Sequence, residues 1–371
     1  MTCSICDSKI NKIIFDKRPT RIWTNSDDTN SEINKLKCIL FQCSSCGHVM
    51  QNPTEKLIKT LAKVYFSKEN ALTTLPGEGN WGEFLGKSKI NQLNKIGLDN
   101  LESACEIGFG NDYYLKYLKS KGFKKLYGIE PSLKKDINHD GLVLKSGLAN
   151  SSLHLDQKFD LIYAFGVFEH ILDLNDTFHF IKNHLSDNGK FFFSVPNCKI
   201  QLESGDPALF AHEHIHYFTE ETLRYYLIRK GFHKISISKI KDAYFCFANA
   251  CNNSSKINIK VPEVIEFNYN NKLLNILNDL KKNFSSKKVI IHGVTNSLNN
   301  ILAWLNLGNN YILFDNDQTK VGKLFFGKTV FEPSKKRIED IDLVIIIPRA
   351  FSNEISEQYD KLDFKGTKYF L

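Results

Sequence analysis

The feature that most constrains this chain is a repeated alternation. Short runs of apolar, β-branched and aromatic residues at 104–107, 126–129, 161–165, 191–195, 235–237 and 244–250 are separated by stretches with helical spacing, such as 113–121 and 219–230. Runs without a polar face must be covered on both sides, and a crossover helix after each strand does this, so the pattern predicts a doubly wound, mostly parallel α/β sheet. Gly231 follows the second helical stretch where a left-handed cap residue is expected. After a polar Asn/Ser segment near 252–256 and a helix expected over 271–283, the alternation restarts, with strands at 289–292, 311–314 and 343–347 and helical spacing over 298–305. That is a second, smaller α/β unit.

Residues 1 to about 75 have a different texture, with broken apolar segments too short for a large core and two Cys-x-x-Cys pairs. Cys3, Cys6, Cys43 and Cys46 are the ligand set that two knuckles bring to one tetrahedral Zn2+, a closed site with a folding role. The 36 residues between the pairs must make an excursion, and Cys38 and His48 are substitute ligands. Ordinary unpaired thiols are the alternative. The expected organisation is a zinc-binding module at 1–80, a central Rossmann-like unit at 81–255 and a smaller Rossmann-like unit at 256–371.

At 371 residues, 42% hydrophobic and 24% charged, the chain is neither a disordered tail nor a fibrous protein. Its nine cysteines, an odd number, argue against a disulfide framework. No window approaches the roughly 18 apolar residues of a membrane span, and the first ten residues lack the apolar stretch of a signal peptide, so a soluble, cytoplasmic protein without a membrane partner is expected. The net charge of +8 is scattered rather than blocked, which suits an anionic small molecule and does not demand a nucleic-acid groove.

Two segments carry chemistry. In Cys105-Glu106-Ile107-Gly108-Phe109-Gly110, the two glycines let a ligand approach the backbone at a strand-to-helix turn, where nucleotide-type cofactors meet such sheets. The third glycine of the dinucleotide fingerprint is replaced by Tyr113. An acid at Glu106 is ill placed beside a pyrophosphate and well matched to an ammonium and a sulfonium, which favours S-adenosylmethionine over NAD. Glu130, followed by Pro131 at the end of the next strand, can take the ribose hydroxyls, and the end of the third strand, Phe165-Gly166, faces the same crevice with Glu169 and His170. The second segment is His212-Glu213-His214-Ile215-His216-Tyr217. Histidine can remove a proton near neutral pH and an adjacent carboxylate can steady the imidazolium, so His214 is the candidate base and Glu213 its neighbour. His170, His212, His216 and Tyr217 are candidate substrate contacts. Alternating histidines that merely hydrogen-bond in a loop are the plain alternative, and a second metal site would need a further spaced His or carboxylate.

Together these residues resemble the class I S-adenosylmethionine-dependent methyltransferases. More narrowly, the chain resembles the zinc-containing deoxysugar C-methyltransferases in Cys43-Ser-Ser-Cys46-Gly, Glu106-Ile107-Gly108, Gly128-Ile129-Glu130-Pro131, Val167-Phe168-Glu169-His170-Ile171, His212-Glu213-His214-Ile215-His216-Tyr217-Phe218 and the stretches 314–317 and 320–323. The resemblance implies C-methylation of a nucleotide-linked keto-deoxy sugar. His214 would take the proton beside the carbonyl, and an aromatic hydroxyl from the region of Tyr65 would lie over the sugar. Where that family carries a Tyr before His-Glu-His, this chain has Ala211, so O- or N-methylation of a surface-polysaccharide or antibiotic sugar stands beside C-methylation. A zinc-ribbon RNA methyltransferase is a third reading, opposed by the lack of an Arg-rich stripe with interleaved aromatics. In the last unit, the turn at 290–297 offers N–H groups to an anion, leaving two readings: a nucleotide contact, or a degenerate unit that only packs.

Overall fold

The computed structural model describes residues 1–21, 35–66, 75–250, 259–284, 287–308 and 310–371. The first of these form β1 (Lys12–Ile13), β2 (Pro19–Arg21), β3 (Lys35–Lys37), β4 (Leu40–Gln42), β5 (Val49–Gln51) and α1 (Glu55–Phe66). β2 and β3 pair as a separate antiparallel ribbon, the hairpin excursion that the spacing of the cysteine pairs requires.

The central unit runs α2 (Gly79–Lys95), β6 (Ser103–Ile107), α3 (Tyr113–Ser120), β7 (Lys125–Glu130), β8 (Ile137–His139), β9 (Leu142–Ser146), β10 (Phe159–Phe165), α4 (Leu174–His184), β11 (Leu185–Pro196), α5 (Lys199–Ser204), β12 (His216–Tyr217), α6 (Glu220–Arg229), β13 (Phe232–Ile240) and β14 (Ala243–Ala250). Its sheet has the order β13-β14-β11-β10-β6-β7-β9-β8. The five strands from β9 to β11 are mutually parallel, and β14, β13 and β8 add antiparallel edges. All five residues of β6 are buried, as a strand covered on both faces requires. The chain steps from β6 outward through β7 and β9, then returns to β10 on the other side of β6, so the sheet reverses its winding between β6 and β10. A ligand crevice lies outside the carboxyl ends of the strands at such a switch point.

β12 leaves this sheet. It pairs antiparallel with β5, His216 opposite Met50, so that the N-terminal sheet reads β1-β4-β5-β12. Two residues are too short to announce a strand by pattern, and the sequence left this segment unassigned. Helices α1, α2 and α4 were also not anticipated. α2 carries Gly82 and Gly86 inside its span, and α4 is rich in aromatic and Asn residues, which weakens a helical pattern until packing fixes it.

The last unit comprises α7 (Tyr269–Phe284), β15 (Val289–His292), α8 (Asn296–Trp304), β16 (Tyr311–Phe314), β17 (Leu324–Phe325), β18 (Lys328–Phe331), α9 (Lys335–Ile338), β19 (Leu343–Ile346), α10 (Ser352–Lys361) and β20 (Thr367–Phe370). The β18-β16-β15-β19-β20 ladder is parallel.

Between the central sheet and α4, the rings of Phe168, Phe178, Phe193 and Phe232 surround Phe191 at centroid distances of 4.8–5.7 Å. Phe191 is fully buried at the heart of β11, directly under the turn that follows β10. Phe191→Ala is expected to lower stability by about 3–5 kcal/mol, the cost of deleting a buried ring and leaving a cavity. Urea unfolding followed by far-ultraviolet dichroism measures this, and a loss below about 1 kcal/mol contradicts the packing described.

Candidate functional site

The glycine turn is built by conformations that other residues avoid. Gly108 and Gly110 have φ of +70° and +56°. A Cβ at Gly108 would stand 2.6 Å from Cγ2 of Val167, so the turn after β6 lies directly against the turn after β10. The Gly110 N–H donates to Oε2 of Glu130 at 3.1 Å, and the Ser132 N–H donates to its Oε1 at 3.0 Å, which aims the carboxylate at the end of β7. Pro131 continues the chain out of that strand. Phe165 closes β10 with its ring edge-on to Tyr114 at 4.8 Å, and Gly166 turns away with φ of +69°.

Glu106 lies beneath this turn and is 1% exposed. It accepts from the Tyr163 hydroxyl at 2.9 Å. Burial pushes its carboxyl well up, against the opposing effects of Tyr163 and of the Lys89 ammonium. Lys89, on α2, was not anticipated from sequence because no motif surrounds it. Its ammonium lies 5.4 Å from the Phe165 ring centroid, and burial lowers its pKa while Glu169 and Glu106 resist. A buried acid only partly balanced in this way suits a cationic ligand group.

The candidate base and the two groups beside it come from two segments. Glu169, His170 and His214 bring ligand-type atoms within 4.8 Å of one another. The His170 ring meets the His214 ring edge-on at 4.8 Å. Nδ1 of His170 donates to the Glu213 backbone carbonyl at 3.1 Å, which leaves Nε2 unprotonated in the neutral ring, 3.9 Å from Glu169 Oε1. Among the described residues, no hydrogen bond reaches a ring nitrogen of His214. Burial holds His214 well below 6.5, with His170 adding to the effect, so the ring is neutral at pH 7. Glu169 is pushed up to about 7 by burial, and its Oε2 has no partner.

Glu213 was expected beside His214. The structure instead groups Glu169 with that ring, while residues 212 and 213 lie in a turn closed by the His214 N–H on the Ala211 carbonyl at 3.2 Å. The Glu213 carboxyl is buried and its Oε2 has no partner; burial raises the Cys38 thiol, and the charge of Glu213 adds to the effect. Three expected substrate contacts are likewise engaged by the protein. His212 Nε2 donates to the Leu36 carbonyl at 3.3 Å, and the Tyr217 hydroxyl donates to the Ala211 carbonyl at 3.1 Å. His216 Nε2 donates to the Ile171 carbonyl at 2.9 Å, so its Nδ1 accepts from His48 Nε2 at 3.2 Å. His212, His216 and Tyr217 are therefore packing residues of the segment, and His48 is occupied in the same chain of bonds. Tyr65 lies in α1, and its side chain falls outside the described residues.

The Cys3–Cys46 and Cys6–Cys43 sulfur pairs are 3.6 and 3.5 Å apart, and the four ligand atoms lie within 4.8 Å of one another. A tetrahedron with zinc–sulfur bonds of about 2.3 Å has edges of about 3.8 Å, so the set fits a four-thiolate zinc site. Cys38 belongs to a separate core with Phe15 and Leu40 and is not part of this set.

In the last unit the anion-type turn is already engaged. Val294 N–H donates to Asp315 Oδ2 at 2.8 Å, Lys320 pairs with the same oxygen at 3.3 Å, and a Cβ at Gly293 would meet Pro348 at 2.4 Å. The unit's own carboxylate takes the N–H that a phosphate would use, which favours the packing reading.

Residues 82–237 match a family model described as a methyltransferase domain, and residues 285–370 match one described as C2185-like, N-terminal. The chain is 28% identical over 126 residues to a tRNA U34 carboxymethyltransferase of Campylobacter hominis, covering 32% of this chain and 43% of that enzyme. The chain thus spans less than half the length of that relative. Solved structures similar to it include one from Listeria monocytogenes described as an S-adenosylmethionine-dependent methyltransferase (14% identity, TM-score 0.37, 44% of this chain and 98% of that one). Another is an S-adenosylmethionine-dependent methyltransferase from Mesorhizobium loti (17%, TM-score 0.36, 44% and 97%). With the strand order and the glycine turn, the domain match makes residues 82–237 a class I S-adenosylmethionine-dependent methyltransferase domain.

Two outcomes follow from this geometry. Gly108→Ala places a methyl group onto Val167 in a left-handed conformation and is expected to weaken S-adenosylhomocysteine binding at least tenfold by calorimetry. Adding Val167→Ala should restore part of that loss, and unchanged binding in the single variant contradicts the turn's role. For pH, the histidines His48, His170, His212, His214 and His216 are lowered by burial, three of them to about 4, so they withhold protons that the unfolded chain binds below 6.5. Their effect is a stability that falls as pH drops from 6.5 toward 4. Glu106, Glu169 and Glu213 are raised, the last two to about 7, and act in the opposite sense between 4.5 and 7. His292, also lowered to about 4 by burial, and Asp206, also raised by burial, bring the count to six histidines against four acids, so net acid destabilisation is expected below 6.5. His216→Gln should reduce that slope by about one proton in denaturant titrations at stepped pH.

Proposed function

We propose that the chain transfers a methyl group from S-adenosylmethionine to a carbon of a nucleotide-linked keto-deoxy sugar, with His214 as general base and the four cysteines holding a structural zinc. The observation that carries this is the contact path from cofactor turn to base. Gly108 lies against Val167, the next turn carries Glu169 and His170, and these group with a neutral His214. We take the chain as a zinc module, a central methyltransferase unit and a bracing C-terminal unit, close to 1–80, 81–255 and 256–371.

Glu130, its carboxylate aimed by two backbone N–H groups, would hold the ribose hydroxyls, and Glu106 would balance the cofactor's ammonium. When bound, S-adenosylmethionine supplies an electrophilic methyl on a sulfonium. His214 would remove the proton next to the sugar carbonyl, the C–H electron pair passing into the enolate, whose carbon would take the methyl as the methyl–sulfur bond breaks and its electron pair stays with S-adenosylhomocysteine. The imidazolium so formed lies beside Glu169, whose carboxyl near pH 7 can ionise to meet it. Alignment of the two reactants supplies much of the rate, and Tyr65 is the proposed donor to the enolate oxygen. O- or N-methylation would use the same base on a more acidic proton. The relative's tRNA substrate supports RNA as a second reading.

His214→Asn is expected to lower methyl transfer to a nucleoside-diphosphate 4-keto-6-deoxysugar by about 10²–10⁴-fold, leaving S-adenosylhomocysteine affinity within about twofold. Mass gain on the sugar, loss of the adjacent proton to deuterated water and transfer to tRNA are the measurements. Transfer to tRNA alone replaces this reading with the second, and full activity of the variant removes His214 as base. For the metal, about one zinc per chain is expected by elemental analysis, falling in Cys46→Ser.

A further inference from the structure

The stretch from Gly205 to Ile215 delivers His214 to the crevice with little regular structure of its own. A buried irregular segment must find partners for its carbonyls, and where they come from shows what holds it. The Asp206 carbonyl accepts from the Tyr269 hydroxyl at 2.9 Å. The Pro207 carbonyl accepts from Asn300 Nδ2 at 2.8 Å, and the Phe210 carbonyl accepts from Asn300 at 2.7 Å and Asn296 at 2.8 Å. Asn300 is 1% exposed and uses both hydrogens of its amide on this one loop. The buried Asp206 carboxylate accepts from the Ala208 N–H and pairs with Arg349 at 3.1 Å. Every one of these side-chain donors lies beyond residue 268. α7 also presses on the loop, since a Cβ at Gly205 would fall 2.5 Å from the Leu273 nitrogen.

The other end of the segment is held from the opposite side. Gln51 Nε2 donates to the carbonyls of His212 and His214, both at 2.9 Å, and the Gln51 N–H donates to the Ile215 carbonyl at 2.8 Å. Phe210 stands four residues before His214. Between the asparagine anchors and the Gln51 anchors only Ala211 is left, and its carbonyl takes the Tyr217 hydroxyl.

We propose that the C-terminal unit serves as a brace for the candidate base, with Asn300 and Asn296 as positioning residues that act through the loop 206–210 on His214. The proposal deepens the assignment of His214 as base and rests on it. It gives the last unit work at the site without a ligand of its own, in keeping with the turn that Asp315 fills.

The test uses the full chain. In Asn300→Ala, amide hydrogen exchange of peptides within 206–217 is expected to quicken about tenfold or more, while peptides within 103–130 stay within about twofold and S-adenosylhomocysteine affinity is retained. The His214 ring resonance, identified by its loss in His214→Asn, should titrate about half a pH unit or more higher, because loosening readmits the water whose exclusion holds it down. Asn296→Ala, at a half-buried side chain, should show the same pattern in milder form and stands in if the first variant does not fold. Exchange in 206–217 that does not change, or that rises equally in 103–130, overturns the brace. Loosening of 206–217 together with undiminished transfer by His214→Asn sustains the brace's mechanics while rejecting the base, so the two failures are distinct.

Discussion

The site depends on how one buried, irregular stretch satisfies its backbone. Residues 205–215 make only two internal backbone turn bonds, Leu209 N–H to the Asp206 carbonyl and His214 N–H to the Ala211 carbonyl, so most of their carbonyls rely on the amides of Asn296, Asn300 and Gln51 and the hydroxyl of Tyr269. An unpaired buried carbonyl costs about 1–3 kcal/mol, so these bonds leave the stretch little freedom to wander. The donors come from either side of the methyltransferase domain, which gives both flanking units a physical reason to be there.

Desolvation sets the electrostatics. Glu106 and Glu169 are raised and His170 and His214 lowered chiefly by burial, with Lys89 the cation whose field reaches both acids. Burial thus leaves the imidazoles neutral at pH 7 and brings the Glu169 carboxyl into the range where it can gain or lose a proton. The same burial that prepares this chemistry makes the folded state sensitive to acid.

The flanking units are alike in one respect: each resembles a binding module while its donors are turned inward. The four sulfurs enclose a space of zinc size, a closed site with no position for substrate. The last unit's anion turn is filled by Asp315 and blocked by Pro348. What they contribute to the centre is geometry, through β5 on one side and α8 on the other.

The parallel sheet, the glycine turn, Glu130 at the end of its strand and the four-cysteine set are legible along the chain, because they rest on local periodicity, backbone conformations open to glycine, and short spacings. Tertiary structure decided which members of the His-Glu-His segment face the crevice. Glu169 rather than Glu213 groups with His214, and His212, His216 and Tyr217 turn into the packing, since the direction of each side chain follows from the pairing of β12 with β5 and from partners more than a hundred residues away in sequence. Lys89 carries no local signal either: a lysine becomes a site residue only when a helix lays it over the Phe165 ring within the field of two buried acids, and no spacing along the chain encodes that meeting.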